Sequence, residues 1–401
     1  MNNQNQYFEE YGVPNEMWQN QQQNGQYTME SVYEEQGQPM TQGQQDKMKY
    51  KQADSKEFVK KQRVFELLET IKPIATYKES FKNNRINNVV RLSTGMKTLD
   101  IALNGGLSDE LYIMAAESST GKSAFFMSLA QSVAEKGNDI DVLYFALEMG
   151  RDEIIARAIS RISHEHHMRD KNKAQYTTAE ILYWKYEPTA GDGAFTTIPY
   201  SKYEEYSEEY FSRFGDNLHI IEGGVDGLTI KDIANVAAIK KRRDPKRKVV
   251  VFIDYLQLVK ADPYDRSQVE RKGKIDAVVT TLKALASQIG MPVLTISSIA
   301  RAGYKSKVSM ESFKESGDTE YTGGILLGWN WDRVSDSKND EARNAEKAVC
   351  EERGFREMTL EILKYRNAAR DGAVHFKYYP AYNYFEEFSP KEAKSKKIIR
   401  K

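Results

Sequence analysis

Apolar residues follow two rhythms along most of this chain. Short runs in which nearly every position is apolar occur at Leu111–Ala115, Val142–Leu147, Val249–Ile253, Val293–Ile296, Ile325–Gly328 and Thr359–Leu363. Between them lie longer stretches with apolar residues at helical spacing, such as Ser123–Lys136 and Ile275–Ile289. Runs apolar on both faces suit strands of a parallel sheet covered on each side. Strands separated by crossover helices predict a doubly wound α/β fold over residues 91–388.

Outside that region the rhythm fails. Residues 1–54 are dominated by Asn, Gln, Glu, Tyr and Gly, with too few apolar groups to offset the entropy of ordering. They read as a disordered arm. In the linker 55–90, Val64, Leu67, Leu68 and Ile71 share one face of a helix that ends before Pro73. Tyr183–Phe214, rich in Tyr, Glu, Gly and Pro, reads as an inserted surface segment, and 389–401 as a basic, solvated tail.

Composition narrows the class. The 401 residues carry 58 Lys+Arg against 58 Asp+Glu, a formal net charge of zero. A globally basic coat for nucleic acid is thereby excluded, so any such partner must be held by local patches. The single cysteine, Cys350, excludes a disulfide framework and a cysteine-based zinc site. No run approaches the roughly 18 apolar residues of a membrane span, and no signal-peptide core opens the chain. A soluble protein of the cytoplasm is expected.

The sharpest chemistry follows the first strand: Ala116-Glu117-Ser118-Ser119-Thr120-Gly121-Lys122-Ser123, then a helix. This is a phosphate-binding loop with Ala at the usual first Gly. A tight loop aims successive backbone N–H groups at phosphate oxygens, and the helix adds its positive N-terminus. Gly121 permits close approach, Lys122 reaches the β- and γ-phosphates of ATP, and Ser123 offers a hydroxyl to Mg²⁺. Three further strands end in polar groups, at Glu148, Asp254 and Ser297-Ser298. Ligands of open α/β sheets bind beyond the carboxyl ends of strands, so these groups are expected to converge. Asp254 reads as the carboxylate that holds Mg²⁺ through water, and Glu148 as the general base for the attacking water.

The motifs, in order, resemble the motor domain of DnaB-type replicative helicases. They are Ser93-Thr94-Gly95 with Leu99-Asp100, the phosphate loop, Leu147-Glu148-Met149, Ile253-Asp254-Tyr255-Leu256-Gln257-Leu258, Leu282-Lys283-Ala284-Leu285-Ala286, Glu315-Ser316-Gly317 and Lys364-Tyr365-Arg366-Asn367. The resemblance implies a RecA-like fold, ATP bound between the subunits of a hexameric ring, and single-stranded DNA through its centre. It implies that Arg366, with Lys364 beside it, reaches the γ-phosphate held by the adjacent subunit. A guanidinium suits that task because its fork of donors matches phosphate oxygens. Lys314, Glu315 and Gly317 match a loop that holds DNA phosphates.

Departures from that pattern are equally specific. Ser298 stands where the family has a Gln that senses the γ-phosphate, and Ala300 where it has Asn. Lys314 replaces an Arg, and Glu117-Ser118 an Arg-Pro. The family's N-terminal helical domain, which meets primase, has no counterpart in the arm, so no loader or primase is assigned.

The remaining groups invite plainer readings. Arg266 and Arg271, in the loop from Lys260 to Lys274, are candidates for a pore-facing contact with DNA. Lys240–Arg243 and Lys246–Lys248 suit a solvated helix end and turn. His164, His166 and His167 are read as surface histidines, Cys350 as an incidental thiol, and Trp329 and Trp331 as core or nucleotide-adjacent packing. Two functions stand: a DNA helicase driven by ATP hydrolysis, and an ATP-gated DNA-binding or scaffold ATPase that does not unwind.

Overall fold

The computed structural model describes residues 73–79, 82, 91–137, 139–183, 198–261, 271–299, 306–316, 324–337, 339–365 and 372–389. The chain separates into two units, Met1–Asn88 and Val89–Lys401. Within the first, a 3-10 turn spans Ile74–Tyr77 directly after Pro73. The expected arm, the helix before Pro73, and the tail from residue 390 onward lie outside the described residues.

The second unit is organised by a nine-stranded sheet in the order β3-β2-β4-β5-β1-β6-β7-β8-β9. Its strands are β1 Leu111–Ala116, β2 Ile140–Ala146, β3 Leu218–Glu222, β4 Lys248–Asp254, β5 Val293–Ser298, β6 Ile325–Trp331, β7 Arg356–Tyr365, β8 Ala373–Tyr379 and β9 Tyr384–Phe388. Neighbours from β3 through β6 run parallel, and β7, β8 and β9 extend the sheet antiparallel beyond β6. The helices are α1 Lys97–Ala102, α2 Lys122–Glu135, α3 Arg151–Arg169, α4 Thr178–Leu182, α5 Tyr200–Phe214, α6 Ile230–Arg243, α7 Arg271–Ile289 and α8 Asp340–Arg353.

Both faces of the parallel strands are buried, which is why their sequences are apolar at every position. On β1, Tyr112 and Met114 join a core with Phe125, Phe126 and Leu129 of α2. Ile113 and Ala115 point the other way, into a core with Val278, Val279 and Leu282 of α7. Trp329 of β6 stacks on Phe125 with ring centroids 4.4 Å apart. Each such side chain contributes on the order of 2 kcal/mol by leaving water.

The expected strands are all present, with ends shifted by a few residues, but β3, β8 and β9 were not foreseen. Strand β8 alternates, with Val374, Phe376 and Tyr378 buried and the residues between them part-exposed. The surface reading of Tyr183–Phe214 is corrected from Tyr200 onward. That stretch is helix α5, and Tyr206, Tyr210 and Phe214, spaced at successive turns, are buried in the core. Residues 184–197 lie outside the described set. The surface reading of His164 is also corrected. Its ring is buried, stacks on Tyr382 at 4.5 Å, and meets Gln175 Oε1 through Nδ1 at 2.6 Å. Among the described residues, no helix is long and apolar enough to cross a membrane.

The basic run at the end of α6 does more than meet solvent. Lys240 Nζ lies 3.0 Å from Asp141, and Arg247 Nε donates to the same buried carboxylate at 2.8 Å. His219 of β3 lies 2.7 Å away. Burial alone would raise the Asp141 pKa, but the hydrogen bonds from Arg247, His219 and Lys240 outweigh it and hold it at about 2. A depressed folded pKa contributes stability above the unfolded value, roughly 4, and that stability is lost as pH falls toward 2. Asp141→Asn should therefore cost about 2 kcal/mol at neutral pH and flatten the acid limb of stability. Urea unfolding between about pH 5 and 2 checks this, and parallel slopes for the two proteins would refute it.

Candidate nucleotide-binding site

Strand β1 ends at Ala116, the chain turns through Glu117–Gly121, and α2 begins at Lys122. Gly121 adopts φ 83°, a left-handed backbone that a side chain disfavours. A Cβ there would also lie 2.4 Å from the Tyr378 ring. Ser119 is left-handed too, at φ 63°. Thr120 Oγ1 donates to the Glu117 carbonyl at 2.7 Å, and Trp329 Nε1 donates to the Thr120 carbonyl at 3.1 Å. The unpaired N–H groups of the first turn of α2 open at the loop, so its positive end faces the same space.

The neighbouring strands bring their ends to the same edge. Ala116 is in register with Ser298 of β5, and Ala146 with Asp254 of β4. Ser123 Oγ donates to Asp254 Oδ1 at 3.2 Å, and the Tyr144 hydroxyl donates to Oδ2 at 2.9 Å. Burial pushes the Asp254 carboxyl above its usual range, while those two hydrogen bonds oppose the shift. Leu147 N–H donates to the Asp254 carbonyl at 3.0 Å, which fixes the turn that presents Glu148. Glu148 is exposed and lines an open cleft beyond β2 and β3, together with Glu222 and Lys260. At the end of β5, Gln257 brackets Ser298. Its Nε2 donates to the Ser298 carbonyl at 3.3 Å, and its Oε1 accepts from the Ser298 N–H at 3.2 Å.

This donor set fits a magnesium nucleotide. A serine hydroxyl and a buried carboxylate, 3.2 Å apart, supply hard oxygen ligands at the start of a helix that favours anions. Ser123 and Asp254 would hold the cation, which neutralises phosphate charge when bound. Lys122 places a cation at the loop, its Nζ 5.8 Å from the Tyr255 ring centroid, where it could meet phosphate. Glu148 is an exposed carboxylate at this edge, a group chemically able to take a proton from water.

Of the residues singled out in the sequence, Ala116, Ser118, Ser119, Thr120, Gly121, Lys122, Ser123, Glu148, Asp254 and Ser298 gather at this one edge. Lys364 does not. It pairs with Leu326, itself in register with Ile113, so it lies toward the opposite end of the sheet from its own phosphate loop. Arg366, Arg266 and Gly317 lie outside the described residues, as do the side chains of Arg271, Lys314 and Glu315. Tyr144 was missed, because a tyrosine within an apolar run reads as core. Gln257 stood in a quoted motif without a role. Trp329 does pack beside the nucleotide loop.

A mostly parallel sheet with this loop after its central strand, a serine–aspartate pair beside it and a carboxylate at the next strand end defines a RecA-like P-loop fold. Residues 91–183 and 206–387 match the family described as the DnaB-like helicase C terminal domain, and the chain belongs to that family. It is 24% identical over 274 residues to the replicative DNA helicase DnaC of Bacillus subtilis (strain 168), covering 68% of this chain and 54% of that one. It is 26% identical over 247 residues to DnaB of Geobacillus stearothermophilus, covering 61% and 48%. The chain thus spans about half the length of these curated relatives. Among solved structures, a DnaB-like replicative helicase described with its primase interactions superposes with TM-score 0.59 at 20% identity, over 87% of this chain and 78% of that one. A second solved structure, of an ATPase domain, superposes with TM-score 0.56 at 20% identity, over 79% and 97%. These likenesses establish the fold. The family match breaks between 183 and 206, within the segment read as an insertion.

The loop geometry sets an expectation for Gly121→Ala. The added Cβ meets Tyr378 and strains the left-handed backbone, so affinity for a fluorescent ATP analogue should fall by about tenfold or more. Unchanged affinity would mean the loop reshapes freely around a side chain.

Proposed function

We propose that the chain is the motor of a replicative-type DNA helicase. It binds ATP with Mg²⁺, hydrolyses it at interfaces within a homo-oligomeric, hexameric ring, and uses the cycle to move along single-stranded DNA. The observation that carries this reading is the meeting of Lys122, Ser123, Asp254 and Glu148 at one sheet edge of a chain belonging to a helicase family. The relatives' names, replicative DNA helicase, support the choice of substrate.

In this reading the phosphate loop binds and orients the triphosphate, and Glu148 removes a proton from the attacking water. Strand β7 ends at Tyr365, remote from the phosphate loop of the same chain, which supports a role for Arg366 on nucleotide held by the next subunit. A finger supplied across an interface needs the head-to-tail contacts that close a ring. Lys314, Glu315, Gly317, Arg266 and Arg271 are the proposed DNA contacts, of the sequence-independent kind that suits a translocating protein. The setting proposed is the cytoplasm.

A second reading, an ATP-gated DNA-binding scaffold, is favoured by Ser298. Its side chain is short and its backbone is already engaged by Gln257, so the link from nucleotide to DNA loop is altered. Steady-state ATP hydrolysis with and without single-stranded DNA separates the two, with Lys122→Ala as the inactive reference. The helicase reading expects strong stimulation by DNA and unwinding of a forked duplex. It also expects Arg366→Ala to abolish turnover while leaving the oligomer assembled. Turnover indifferent to DNA would leave the scaffold, and turnover retained by assembled Arg366→Ala would remove the finger.

A further inference from the structure

The back of the phosphate loop is held by donors from β6 and β7. The Thr120 carbonyl accepts from Trp329 Nε1, and the Ser119 carbonyl accepts from Arg356 Nη1 at 2.9 Å. Arg356 is itself seated, its guanidinium 4.3 Å from the Trp331 ring centroid. Carbonyl and N–H of one peptide point in opposite directions. Pinning these carbonyls outward therefore turns the neighbouring N–H groups toward the space where phosphate binds.

Glu117 opens the loop and is the one carboxylate within it. It is paired with Arg343 Nη2, from the first turns of α8. Arg343 is only 8% exposed, and the two residues are 226 positions apart in the chain. An unpaired carboxylate at this place would repel a triphosphate through a partly buried, weakly screened path. Beside a buried guanidinium, the same carboxylate is neutralised and tethered.

We propose that Arg343 is a positioning residue of the nucleotide site: it anchors Glu117 and cancels its charge, so that the phosphate loop is both shaped and electrostatically open to ATP. This inference rests on the reading of the loop as an ATP site. It sets a clear order among variants. With the guanidinium gone, Glu117 faces the phosphates unpaired; with both groups neutral, the repulsion is gone as well. Arg343→Met should therefore weaken ATP binding more than the double variant Glu117→Gln/Arg343→Met does.

The test is titration of the full chain with a fluorescent ATP analogue, together with KM and kcat for ATP. Expected are a rise in Kd and KM of about tenfold for Arg343→Met with a smaller change in kcat, recovery of most of that loss in the double variant, and an intermediate value for Arg343→Lys. Thermal melts accompany each variant, and an Arg343→Met chain that fails to fold leaves Arg343→Lys and its partner Glu117→Gln/Arg343→Lys as the comparison. No rescue by Glu117→Gln would overturn the proposal, because Arg343 would then act on the nucleotide directly or only on stability. A fall in kcat with KM unchanged would overturn it too. Wild-type protein that binds no nucleotide, or binds it equally well as Lys122→Ala, would instead overturn the ATP-site reading itself.

Discussion

A strand buried on both faces has no side from which to present chemistry, so its polar groups must appear where it ends. That constraint organises this protein. In β1, β2, β4 and β5 nearly every position is buried between helices above and below, and the carboxyl ends lie side by side. The phosphate loop, Glu148, Asp254 and Ser298 are what remain when those strands run out of core. The one hydroxyl that reaches Asp254 from within the sheet, Tyr144, does so from a fully buried ring two residues short of the end of β2. Packing and site geometry are therefore a single problem: shifting any strand by one residue would exchange its two faces and misplace its terminal carboxylate.

The antiparallel strands β7, β8 and β9 extend that logic sideways. They carry the sheet beyond β6 and place Arg356 and Tyr378 behind the phosphate loop. Tyr378 fills the space that a side chain at 121 would need, and it stacks on Phe385 with ring centroids 4.4 Å apart. The loop is thus walled by aromatic surface at its back and open to charge at its front. A loop supported in this way loses less entropy on binding phosphate than one that must be ordered by its ligand.

Much of this was legible because two-sided burial leaves so plain a trace. Largely apolar runs located β1, β2, β4, β5 and β6, a run broken by Glu361 located β7, and polar residues at the ends of β1, β2, β4 and β5 located the site. Where burial is one-sided the trace fades. In β8 the alternation of Val374, Phe376 and Tyr378 with His375 and Lys377 was present, but it is easily read as loop. Helix α5 was hidden by composition: its buried face consists of Tyr206, Tyr210 and Phe214, and tyrosines among glutamates look like surface. His164 was misread for a related reason, since an aromatic cage of Tyr379, Tyr382 and Tyr384 is assembled only in three dimensions. Periodicity reports which face of an element turns inward, never which distant residue it meets. Glu117 with Arg343 and Ser119 with Arg356 are pairings of that kind.

The same register that gathers the nucleotide groups also sets the end of β7 apart from them. Because β7 runs antiparallel to β6, its end lies beside the beginning of the parallel strands: Tyr365 pairs with Ile325, which pairs with Tyr112. The phosphate loop leaves from the other end of β1, past Ala116. A strand rises about 3.3 Å per residue, so the levels of Tyr112 and Ala116 differ by roughly 13 Å before the loop itself begins. Tyr365, the last residue of β7, thus lies at least that far along the sheet from its own phosphate loop. That strand direction agrees with the division of labour between subunits proposed above. A fold that gathers its phosphate groups at one end of a parallel sheet, and continues that sheet antiparallel, brings the end of the returning strand to the opposite end.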